Sequence, residues 1–130
     1  MTTISIVCIA TAFLLVHLPR FLAAAGMMKA DGHYNNNDPR GQQAATTGWP
    51  RRALNAHYNT IENFPPFAIA VVVANLGKAS PTAIAVCSIL FVVVRSLYIV
   101  VYIADLASVR TVLWTMGLCC TFALFLLPLF

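Results

Sequence analysis

The sequence predicts an all-α membrane protein, a single domain of four transmembrane helices. Composition points there first: of 130 residues, 60% are hydrophobic and only 9% charged, whereas a soluble domain carries about 25% charged residues. The apolar residues also fall in long runs rather than in the period of a half-buried helix. Four such runs, 4–25, 53–76, 81–104 and 109–127, each come near the roughly 20 residues that cross a bilayer. Backbone groups in lipid need internal partners, so helices are the economical choice for all four.

Taken in order, the first run begins with "MTTIS", which has no positive charge, and "HLPR" interrupts it before the small residues "LAAAG". It is therefore expected to stay as a span and not to be removed as a signal peptide. Residues 27–52, containing "NNNDPRG", form the one long polar connection. The second run holds "NAHYNTIENFPPF" from Asn55, where Pro65 and Pro66 remove two backbone donors and are expected to kink the helix. Short turns, "GKASP" and "DLAS", join the second run to the third and the third to the fourth.

Charge orients the bundle. Lys29, Arg40, Arg51 and Arg52 lie in or beside the long connection and Arg20 lies near it, while the other side has only Lys78. The positive-inside rule puts the long loop and the Asp105 turn in the cytoplasm and both termini outside. Trp49 and Trp114 then fall near the cytoplasmic interface, where indoles prefer to sit. The net charge of +4 reads as topology, and no basic-aromatic module suggests nucleic acid. Cys8, Cys87, Cys119 and Cys120 fall inside spans and read as small buried hydrophobes. His17, His33 and His57 are scattered without metal-ligand spacing, so no metal site is expected.

Polar residues inside spans are costly and mark function or helix contacts. Arg52, Asn55, Asn59 and Glu62 are spaced three, four and three apart, as are Arg95, Tyr98, Tyr102 and Asp105. Each set makes one stripe on one helical face. Glu62 lies about 14 Å and Arg95 about 15 Å from the cytoplasmic ends of their spans at 1.5 Å per residue. Equal depth predicts that they pair or share a network, with Arg95 satisfying Glu62. Arg110 stands at the start of the fourth span. The stripes suit either a polar pocket open to the cytoplasmic side or polar glue between helices.

"RALNAHYNTIENFPPF" and "RSLYIVVYIADLASVRTVLW" resemble the membrane-associated proteins in eicosanoid and glutathione metabolism, the MAPEG family. The likeness covers about the whole chain, and "NNNDPR" and "ENFPPF" are similar to a bacterial branch, implying an inner-membrane protein. The resemblance implies a homotrimer that binds glutathione at protomer boundaries, in the cytoplasmic half of the membrane, and turns its thiol on lipophilic substrates. Carried over by position, Asn59, Glu62, Arg95, Tyr98 and Tyr102 would bind the tripeptide, Glu62 at its amino group and the arginines at its carboxylates. Arg110 would stabilise the thiolate. Asn55 stands where the eicosanoid enzymes usually carry an arginine, and Arg52, one turn earlier, would have to replace that contact. The Tyr102-to-Arg110 spacing also differs slightly from some members. Two functions follow: a glutathione-dependent transferase or peroxidase, or a non-catalytic lipid-binding or accessory membrane subunit.

Overall fold

A computed structural model describes all residues, 1–130. The chain is helical throughout, with α1 (Thr3–Asp31), a short α2 (Pro39–Ala45), α3 (Gly48–Leu76), α4 (Pro81–Ile103), α5 (Ala107–Leu126) and a terminal 3₁₀ turn over Leu127–Leu129. Three helices are long and apolar enough to cross a membrane: α1, α4 and α5 with its 3₁₀ extension. α3 has 29 residues but lower apolarity, because Asn55, Asn59, Glu62 and Asn63 all lie on it. Its position answers that composition. α3 and α4, which carry the two polar stripes, each pack against all three other long helices, while α1 leans chiefly on α3 and α5 on α4.

Helix ends differ from the apolar runs. α1 continues to Asp31 and α3 begins at Gly48. At 1.5 Å per residue a 29-residue helix spans about 43 Å, well beyond a hydrocarbon core of about 30 Å. Hydropathy marks the membrane, whereas caps mark the helix. Thr2 caps α1, its hydroxyl accepting from the Ser5 amide at 3.2 Å, and Gly32 ends the helix at φ 77°, where a residue without Cβ is unstrained. In α3, Pro65 and Pro66 sit inside the helix without ending it.

The long connection is ordered by its own polar residues. The Asn35 side-chain oxygen accepts from the amides of Asn37 and Asp38, and Asp38 caps α2 by accepting from Gly41. Gln42 links Asp31, the His33 carbonyl and the Asn35 amide. Arg51 closes the other end of α2 by donating to the Gln43 carbonyl at 2.9 Å.

Away from this loop, the main core joins Cys8 and Ala12 of α1, Phe67, Ala70, Val71 and Ala74 of α3, Ile84 and Phe91 of α4, and Cys120 and Leu124 of α5. Phe67 and Phe91 stack with centroids 3.8 Å apart. A smaller cluster of Ala23, Ala53 and Leu54 seals the loop end, its alanines letting α1 and α3 approach closely. At the opposite end Gly77 lets α3 meet the terminal turn, since a Cβ there would lie 2.5 Å from Pro128. The cysteines only partly follow expectation: Cys8 and Cys120 are buried, Cys87 is half-buried and Cys119 is exposed on the outside of α5.

Candidate functional site

Between the two apolar clusters lies a polar layer. Arg95 is 1% exposed and is the largest fully buried side chain. Its Nη1 donates to the Asn59 side-chain oxygen at 3.0 Å, joining α4 to α3. Its other two nitrogens, Nε and Nη2, have no hydrogen-bond partner. The guanidinium lies 4.7 Å from the Tyr98 ring centroid. On its α5 side it faces Gly117, where a Cβ would come within 3.5 Å of Nη2.

This corrects the expected Glu62–Arg95 pair. Glu62 is exposed on the outside of the single chain, and the chain's one ion pair joins Arg52 to Asp105 at 3.5 Å. Depth alone misled. Three residues along a helix turn a side chain about 60° away from its starting azimuth, so Glu62 faces off α4 where Asn59 faces onto it. The long arginine stem covers the remaining axial offset.

In front of Arg95 a cleft of about 280 Å³ opens, lined by Asn59, Tyr98, Tyr102, Arg110, Thr111 and Trp114. Tyr98 and Tyr102 meet edge to face, with centroids 5.5 Å apart. The Arg110 guanidinium lies over the Tyr102 ring at 4.4 Å, a cation–π contact that holds the cation at the cleft. Arg110 has no acidic partner.

The structure therefore brings Asn59, Tyr98, Tyr102 and Arg110 together, with Arg95 behind them. It does not bring Arg52 there. Arg52 Nε donates to the Ile103 carbonyl at 2.8 Å, and the same side chain pairs with Asp105, tying the start of α3 to the end of α4. Asn55 is half-buried and lies outside the cleft lining. Thr111 and Trp114 were not anticipated as lining residues. Trp114 follows Arg110 by four positions and so shares its helical face, a signal the sequence carries. His57 is structural: its Nδ1–H donates to the Val16 carbonyl at 2.7 Å, tying α3 to α1.

Apolar helices long enough to span a bilayer, packed around a buried cation and an open polar cleft, define an integral membrane protein. The MAPEG family profile matches residues 4–130. The chain belongs to the MAPEG family, and is thus a membrane protein of the glutathione and eicosanoid metabolism kind. No curated protein and no solved structure matches the chain.

Proposed function

We propose that this chain is a glutathione-dependent transferase or peroxidase acting on lipophilic electrophiles that reach it from the bilayer. The observation that carries this reading is the buried Arg95 guanidinium, which has two unbonded nitrogens and no carboxylate. A buried, uncompensated cation is costly. With Arg110 at the cleft in front of it, the arrangement suits a ligand bearing carboxylates.

The residues fit glutathione in part. Asn59, Tyr98, Tyr102 and Thr111 offer neutral hydrogen-bonding groups along the cleft, and Arg110 adds a positive charge at the head of α5, where the helix N-terminus reinforces it. Bound glutathione would supply a thiol nucleophile. The role of Arg110 is to favour the ionised thiol, since a cation within about 4–6 Å commonly lowers such a pKa by one to three units. Trp114 gives the cleft an apolar wall against a lipophilic partner.

The wider reading is a homotrimer of four-span protomers in a bacterial inner membrane, with the long loop cytoplasmic and both termini periplasmic. Glu62 supports assembly: a carboxylate on the lipid-facing side of a single chain is unfavourable, and a neighbouring protomer that covered it would place it at a protomer boundary, free to meet the amino group of the tripeptide.

One observation favours the alternative, a non-catalytic lipid-binding or accessory subunit. Arg52 is engaged with Ile103 and Asp105, so it does not restore the cation that Asn55 lacks. Thermal unfolding with glutathione separates the two readings. A ligand at 100 times its dissociation constant, bound to the native state only, adds about 2.7 kcal/mol. A clear rise in melting temperature is expected, smaller for an analogue without the glycine. No shift at millimolar glutathione, in detergent and nanodiscs alike, leaves only the accessory-subunit reading.

A further inference from the structure

A second cavity, of about 220 Å³, opens at the loop end of the bundle and shares no residue with the cleft. Phe21, Ala24 and Met27 of α1 and Leu54 of α3 make its apolar wall, and Arg20, Tyr34 and Gln43 are its polar lining. All three polar groups have unused donors. Arg20 has no carboxylate partner. Gln43 is 4% exposed, and its Oε1 accepts from Arg40 Nη1 at 3.0 Å and from the Tyr58 hydroxyl at 3.3 Å. Arginine only donates, so this contact fixes which end of the amide is oxygen. The Gln43 Nε2 is left as a donor without a partner inside the fold, and no acidic side chain lines the cavity.

Donors without acceptors select an anion, and the apolar wall selects one attached to hydrocarbon. Depth agrees. Twenty residues counted from Ile4 end near Ala24, so the edge of a roughly 30 Å hydrocarbon core passes this cavity. Arg20 stands one turn inside that edge, within reach of headgroups for a long side chain. We infer that the cavity takes the headgroup of an anionic phospholipid, with Arg20, Tyr34 and Gln43 on its phosphate and Phe21, Met27 and Leu54 against its first methylenes. A zwitterionic lipid finds no carboxylate there to face its ammonium. Inorganic phosphate leaves the apolar wall unused.

The test uses the full chain, delipidated in neutral detergent and titrated separately with phosphatidylglycerol, phosphatidylcholine, oleate and inorganic phosphate. Native mass spectrometry reads occupancy, and thermal unfolding reads stabilisation. Phosphatidylglycerol is expected to bind once per chain, about tenfold more tightly than phosphatidylcholine, which offers the same phosphate but would bring its ammonium beside the Arg20 cation with no carboxylate to face it. Arg20→Gln is expected to erase that preference. Should that variant fail to fold, Tyr34→Phe and the cavity-filling Ala24→Trp carry the same expectation of weakened phosphatidylglycerol binding. Equal binding of the two phospholipids overturns the inference, as does an unchanged preference in these variants. Equal stabilisation by inorganic phosphate makes it a free-anion site, and tighter binding of oleate makes it a carboxylate site; either result also overturns it.

Discussion

Arg95 shows how one residue can be legible in type and illegible in contact. Its place in a stripe with Tyr98 and Tyr102 is written in a spacing of three and four. Its partner is not, because azimuth and side-chain reach decide between Asn59 and Glu62, and neither is visible in a linear register. The observed bond gives a direct expectation. Asn59→Ala removes the one hydrogen bond of a buried guanidinium and should cost about 1–3 kcal/mol in the ligand-free protein. Arg95→Met removes the charge itself and should cost less than that, or stabilise, as replacement of buried ions by apolar groups often does. The double variant should depart from additivity by about 0.5–3 kcal/mol in chemical denaturation, and simple addition would mean the bond contributes nothing. Arg110 belongs to the same scale. A free thiol has a pKa near 8.5, so thiolate absorbance of the glutathione complex should appear at lower pH than that. Arg110→Ala should return it to the ordinary range while glutathione still binds. An unchanged titration removes Arg110 from the mechanism.

Among the elements, Arg52 ties the start of α3 to the turn between α4 and α5. Asp105 adopts φ 66° in that turn, a conformation aspartate tolerates better than most residues, and Arg52 bonds both its carboxylate and the neighbouring Ile103 carbonyl. The ion pair is 30% and 65% exposed, so solvent screens it, and Asp105→Asn, which removes the charge but keeps a residue that tolerates the positive φ, should cost under about 1 kcal/mol. Arg52→Ala also loses the charge-assisted bond to Ile103 and should cost about 1.5–3 kcal/mol. Added salt should shrink the Asp105 effect and leave most of the Arg52 effect, as urea unfolding at two ionic strengths would show; equal effects would mean that the Ile103 bond is idle. The runs 81–104 and 109–127 fall within a few residues of α4 and α5 as formed, because lipid leaves few alternatives to an apolar helix. The ends of α1 and α3, and all of α2, were not legible in that way. They lie where water replaces lipid, and are decided by capping groups such as Gly32, Asp38 and Arg51 rather than by hydropathy.

For the whole molecule the decisive residue is Glu62, since a single chain leaves it exposed about 14 Å from the end of its apolar run. A charged group at the bilayer centre costs about 2.5–3.5 kcal/mol even on insertion scales, so a partner for it is favoured. In the proposed homotrimer two partners are open to it across a protomer boundary: a group of the neighbouring chain, or the amine of a bound glutathione. They predict different behaviour of Glu62→Gln, which keeps shape and hydrogen bonding and removes the charge. A partner on the neighbouring chain would make the assembly itself depend on the charge, and the variant would dissociate. The ligand's amine would make only affinity depend on it. The proposed function requires the second: the trimer persists by native mass spectrometry, and glutathione affinity falls about ten- to a hundredfold, the range for losing one hydrogen bond to a charged group. A glutathione analogue lacking the amino group sharpens the test, since it should bind the parent and Glu62→Gln proteins equally. Loss of the trimer in Glu62→Gln would reassign the carboxylate to assembly. Unchanged affinity for glutathione, with the trimer intact, would remove Glu62 from the binding site.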